Sequence, residues 1–129
     1  MTYIVDTHTL VWFIEGRNKV GARALKVLRD NQQRIVIPAI VLAEIKYLAT
    51  RGRVSLTLNE VTEIIENDPR CVIYPLDSHV VRAMPVVLDI HDGIICGTAL
   101  LYQTVLGEPV KILTRDENIK NTSGIQTLW

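Results

Sequence analysis

Between Gly93 and Gly107 the chain carries no charged residue at all. A helix that is apolar all round belongs in the middle of a domain, covered by other elements. The segments on either side of this run alternate between two kinds. Tyr3-Ile-Val, Arg34-Ile-Val-Ile, Cys71-Val-Ile-Tyr and Lys111-Ile-Leu-Thr are short and β-rich, and Ile125-Gln-Thr-Leu-Trp129 reads as a fifth strand at an edge. Helix-like stretches separate them. The first runs from Thr7 to about Glu15 and is broken by Gly16. The second carries Ala22, Leu25, Val27 and Leu28 inward, with Lys19, Arg23 and Lys26 on an outer stripe.

Pro38 cannot donate to a sheet ladder but suits a helix start, so a helix is predicted from Ala39 to Thr50, closed by Gly52. Thr57-Leu-Asn-Glu60 has the spacing of a capping box and opens a helix whose Val61, Ile64 and Ile65 are expected to face inward. Ser78 is read as the cap of a further short helix. Strands alternating with helices predict an α/β three-layer sandwich, a central parallel sheet of four to five strands with helices on both faces. A strand order that reverses near strand one follows, and the ligand cleft then lies beyond the carboxyl ends of the strands.

A length of 129 residues fits a single domain, 1–129, with a core of its own. With 48% apolar and 22% charged residues the chain is a folded globular one, not a disordered tail. Its 14 basic side chains equal its 14 acidic ones, which argues against a protein that coats nucleic acid non-specifically. A site-specific nuclease stays open. Cys71 and Cys96 lack zinc-site spacing, and Cys96, inside the uncharged run, is expected to be a buried free thiol. The start, Met-Thr-Tyr-Ile-Val-Asp, has no basic leader or long apolar segment, and no span reaches transmembrane length. The expected compartment is the cytoplasm, without membrane contact.

Four carboxylates stand out. Glu44 is the only charged residue between Arg34 and Lys46, and an unpaired buried charge is very costly. Ile40, Val41, Tyr47 and Leu48 lie one turn either side of it, so Glu44 is expected to point with the apolar stripe. A buried salt bridge is the plainer explanation, but no obvious basic residue shares that face. Asp6 and Asp116 occupy the carboxyl ends of strands one and four, where a helix cap and a turn former are the plainer roles. Asp92 stands at the start of the uncharged helix, where the dipole favours a carboxylate by up to ~1 kcal/mol. Capping is the plainer role there too, with Asp89 one turn earlier as its rival.

If the four converge, each pair about 4 Å apart repels by ~4 kcal/mol at an effective dielectric of 20. Several such pairs would consume much of a domain's net stability of about 5–15 kcal/mol. A fold keeps such a cluster only with raised pKa values or bound cations. All-oxygen ligation without a His or Cys set selects Mg²⁺ or Mn²⁺. Such ions activate a water and stabilise charge on a phosphate, which points to phosphodiester cleavage.

The chain also resembles a known family. The matching pieces are Ile4-Val-Asp-Thr-His-Thr-Leu-Val-Trp12, Ile40-Val-Leu-Ala-Glu-Ile45, Asp89-Ile-His-Asp-Gly-Ile-Ile95 with Thr98-Ala-Leu100, and Leu113-Thr-Arg-Asp-Glu-Asn-Ile119. Spread over nearly the whole chain, they resemble PIN-domain ribonucleases, and more closely the VapC-type toxins of toxin–antitoxin pairs. The resemblance implies a PIN-like fold and an endoribonuclease with Asp6, Glu44, Asp92 and Asp116 as its acidic quartet. Thr114 would match the small hydroxyl residue found before the last acid. RNA as substrate, a cognate antitoxin and a homodimer are implied as partners. Many relatives carry Arg directly after the third acid, where this chain has Gly93.

Lys46 and Arg115 neighbour proposed site acids and are the basic residues expected to contact RNA backbone. His8 is expected on a buried helix, bonded to a neighbour, and His91 in a local structural role; with His79 they lack the spacing of a helical zinc pair. Two other functions compete. A phospho-accepting receiver module would use Asp77 as acceptor, and a non-catalytic PIN-like scaffold would only bind a partner or RNA.

Overall fold

The computed structural model describes residues 1–129. Strands β1 (Thr2–Val5), β2 (Arg34–Pro38), β3 (Cys71–Tyr74), β4 (Val110–Leu113) and β5 (Gln126–Leu128) alternate with seven helices. These are α1 (Thr7–Ile14), α2 (Ala22–Arg29), α3 (Ala39–Thr50), α4 (Leu58–Glu66), α5 (Ser78–Ala83), α6 (Ile90–Leu106) and α7 (Glu117–Lys120). The expected strand and helix alternation is present throughout.

All five strands are parallel and stand in the order β3-β2-β1-β4-β5. The chain moves outward from β1 to β2 and β3, then returns to build β4 and β5 on the other side. The order therefore reverses between β1 and β4, and a sheet of this kind opens its crevice at the carboxyl ends of those two strands. Every residue of β1 is buried, as are Ile35 to Pro38 of β2. At the β3 edge, Val72 and Ile73 are exposed. Aliphatic side chains fill the interior, as a chain with only 5% aromatic residues requires, and burying them supplies the main driving force.

Helix α6 is buried only through its first half, from Gly93 to Ala99. Beyond that it emerges, and Val105 is 74% exposed, so the uncharged run is central at one end only. Helix α5 lies close against the buried half. A Cβ on Gly97 would sit 2.8 Å from the Val80 carbonyl oxygen, too close for any side chain without backbone movement. A Cβ on Gly93 would meet Met84 Cε at 3.2 Å. The missing side chain at position 93 is thus occupied space, filled by the turn after α5.

Local details differ from expectation at two helices. The Thr57–Glu60 capping box forms as read, and Val61 and Ile65 are buried. Ile64, however, is 48% exposed, because the buried stripe of α4 is one residue wide at that turn. Asp77, not Ser78, caps α5, accepting from the Val80 amide at 3.0 Å. Its other oxygen accepts from the Tyr74 hydroxyl at 2.8 Å. Both cysteines are free, and burial pushes the Cys96 thiol up to about 12. No helix is long and apolar enough to cross a membrane.

Candidate active site

At the strand reversal lies a cleft of about 430 Å³ lined by Asp6, Glu44, Asp92 and Asp116 together. Four separated segments contribute these acids: the end of β1, the middle of α3, the first turn of α6 and the loop after β4. Asp89, Thr7, His8 and His91 complete the polar wall.

Asp6 is both a cap and a cleft residue. Its Oδ1 accepts from the Thr9 amide at 2.9 Å, capping α1, and its Oδ2 accepts a short hydrogen bond from the Thr114 hydroxyl. That same hydroxyl oxygen accepts from the Asp116 amide at 3.0 Å. Thr114 is 2% exposed, so one buried oxygen ties the ends of β1 and β4 to each other. Nearby, the Thr9 hydroxyl donates to the Leu113 carbonyl at 2.9 Å and adds a second tie. Asp116 caps α7 through Oδ1, which accepts from the amides of Asn118 and Ile119 at 2.8 and 3.1 Å. The cap and turn roles weighed for these acids coexist with a place in the cleft.

Asp92 is not a cap. Asp89 caps α6 and accepts from the Asp92 amide at 3.0 Å, which leaves the Asp92 side chain in the cleft, one turn into the helix. Burial pushes its carboxyl up to about 7, reinforced by the negative charges of Asp89, Asp116 and Glu44. Burial likewise raises Glu44, while His91 and Thr7 pull against that rise. Glu44 does not follow the buried stripe of α3, which is Val41 and Ile45. It lies instead on a half-exposed face with Ile40, Ala43, Tyr47 and Leu48, beside His91, so its helix presents it at the cleft mouth.

His8 is exposed, against expectation. It lines the cleft and faces the Trp12 ring, with centroids 5.5 Å apart. His91 also lines the cleft. No sequence spacing announced either one, since each reaches the cleft only through the tertiary arrangement; Asp89 had at least appeared as a rival to Asp92. Lys46 is exposed on α3 and does not line the cleft. Arg115 lines an adjoining groove of about 300 Å³ with Asp6, His8, Thr9, Trp12 and Asp116. Asp77 is held by Tyr74 and α5 at the β3 side and is absent from the cleft, which removes the geometric basis of a receiver module.

The donor set suits a hard divalent cation. Burial, with neighbouring carboxylates adding to it, drives Asp92 to about 7, and the Thr7 hydroxyl, 3% exposed in the cleft wall, has no hydrogen-bond partner. Thr7 sits near enough to Glu44 to favour its charged form but outside hydrogen-bonding geometry. No three acids, histidines or cysteines close on one point as a complete ligand set. A hard divalent cation that keeps several of its own waters would not need a closed set of protein ligands.

Comparison with known proteins is consistent with this geometry. The family model described as "PIN domain" matches residues 3–125. Among solved structures, VapBC2 from Rickettsia felis, crystallised bound to a DNA fragment from its promoter, superimposes with a TM-score of 0.68. The alignment covers 99% of this chain and 98% of that one at 17% identity, a likeness of fold. No curated protein matches the sequence significantly.

Proposed function

Because the chain belongs to the PIN-domain family, we propose that it is a metal-dependent endoribonuclease, acting as the toxin of a toxin–antitoxin pair. One observation carries the reading: Asp6, Glu44, Asp92 and Asp116 line a single cleft at the strand reversal. A hydrolase acting on phosphodiesters needs an anionic pocket that can hold cations against a phosphate, and this cleft offers one.

Asp6, Asp92, Asp116 and Glu44 would hold Mg²⁺ or Mn²⁺. When bound, such an ion supplies Lewis acidity toward the phosphate and lowers the pKa of an attacking water. Thr114 keeps Asp6 and Asp116 in fixed relation, a positioning role that needs no contact with substrate. Asp89 holds the first turn of α6, so the Asp92 carboxylate is presented from a capped helix. Asp92 would have to give up the proton that burial and neighbouring charges hold on it in order to serve as a ligand. His8 and His91 line the same cleft.

A cognate antitoxin chain is the proposed partner, by analogy with the complex that shares this fold, and a homodimer is the proposed state. The test is incubation of purified protein with total RNA. Cleavage should need Mg²⁺ or Mn²⁺ and stop with EDTA, and Asp6→Asn and Asp92→Asn should abolish it. Full activity in either variant would overturn the assignment. Failure to bind Mn²⁺ in a titration of protein freed of any partner would favour the scaffold reading instead.

A further inference from the structure

We propose that the groove built on Trp12, beside the acid cleft, is a subsite for the phosphate flanking the scissile one in single-stranded RNA, with Arg115 as its principal ligand. The proposal rests on the nuclease reading above. The Arg115 guanidinium lies over the Trp12 ring, Cζ 4.6 Å from the centroid, and the Lys19 ammonium approaches the same ring at 5.4 Å. Neither cation has a carboxylate partner, although the chain holds as many acids as bases; the ion pairs present are Arg17–Glu15, Arg70–Asp68 and Lys120–Glu117.

Stacking occupies the face of a guanidinium and leaves its in-plane N–H donors free. Those donors have the fork geometry that matches a phosphate. The indole beneath is itself fixed. Trp129 meets it edge-on at 6.2 Å, and Trp129 lies against Gly21, where a Cβ would come within 2.5 Å of its backbone. An Arg held on a fixed platform loses less freedom on binding than one waving in solvent.

The groove shares Asp6, His8 and Asp116 with the cleft, so a strand lying in one continues into the other. Across the cleft, a cavity of about 480 Å³ next to Asp89 and Asp92 is lined by Asn118, Asn121, Thr122 and Ser123 and by no basic residue. Of these two flanking hollows only the one on Trp12 is lined by a basic residue, and backbone anchoring is assigned to it. The ordinary alternative is a decorated surface, two long side chains covering an aromatic ring. That alternative predicts no coupling to RNA.

The test has two arms. In EDTA, where cleavage is off, binding of a short fluorescein-labelled single-stranded RNA of mixed sequence is followed by anisotropy over a salt series. Arg115→Ala should weaken binding about tenfold and lower the slope of log K against log salt by about 0.7, the value for one phosphate on a single strand. Trp12→Ala should reproduce Arg115→Ala, Trp12→Phe should largely restore binding, and Arg17→Ala should change nothing. In Mn²⁺, Arg115→Ala should raise KM about tenfold with kcat within about twofold. Unaltered affinity and KM in the Arg115→Ala, Lys19→Ala double variant, or no RNA binding by the wild type, would overturn the subsite. RNA binding that depends on Arg115 without any cleavage would support the subsite while sinking the nuclease reading.

Discussion

Asp6 and Asp116 sit at the ends of strands and accept hydrogen bonds from Thr9, Thr114, Asn118 and Ile119. Glu44 and Asp92 face them from helices and accept none from the backbone; both are pushed up, chiefly by burial, Asp92 to about 7. One half of the cleft is thus part of the scaffold and the other half is strained against it. The difference teaches that four acids of equal charge need not be equal in stability. Those that cap and tie hold the protein together, whereas those that are buried without such bonds weigh against it.

Substitution should split the halves most sharply. Asp6→Asn and Asp92→Asn are both expected to lose activity by about 10²–10³-fold, the scale of removing one electrostatic contact to a transition state. Their stabilities should move apart. Asp6→Ala removes a cap and the Thr114 acceptor and should lower stability by about 1–3 kcal/mol in denaturant unfolding. Asp92→Asn should raise that of the metal-free protein. Movement in the same direction would end the contrast.

Thr114→Val is the next largest effect. It keeps the shape but removes a donor to Asp6 and an acceptor for the Asp116 amide, so about 1–3 kcal/mol should be lost, with Thr114→Ser close to wild type. Urea midpoints for the three proteins decide this.

A third test is pH. Asp92 is an acid whose folded pKa, about 7, lies above its ordinary 3.8, so the folded state binds the proton more tightly than the unfolded one. Stability on this account is greatest below pH 4 and declines as pH rises from 4 to 7. Allowing for solvent screening at a half-exposed group, the decline is about 1–2 kcal/mol. Asp92→Asn should abolish this component of the wild-type curve, and an identical pH profile in both proteins would count against it. The smallest expected effect is ligand stabilisation: millimolar Mg²⁺ or Mn²⁺ should raise the wild-type Tm by a few degrees and leave Asp92→Asn nearly unmoved.

Much of this was legible in residues alone. Alternating apolar strands and helices marked the sheet, Pro38 and Gly52 bounded α3 as drawn, and the lone charge at Glu44 pointed to the cleft. Periodicity failed where the third dimension decides. It put Glu44 on one apolar face with Ile40, Tyr47 and Leu48, as found, but could not tell that α3 turns this face to the cleft mouth and not into the core. It could not choose between Asp89 and Asp92, because a cap depends on where the first helical turn starts. Arg115 lying over Trp12 joins residues distant along the chain, and no local pattern encodes such a meeting.

The Thr114 oxygen has a consequence for motion. Because it bridges the loops after β1 and β4, those loops are clamped to one another at the ends of two paired parallel strands. If the cleft closes on the proposed substrate, the movement is expected in α3 and α6, which carry Glu44 and Asp92 without such a tie. The fold therefore has an anvil and a hammer, and the anvil is set by a single hydroxyl.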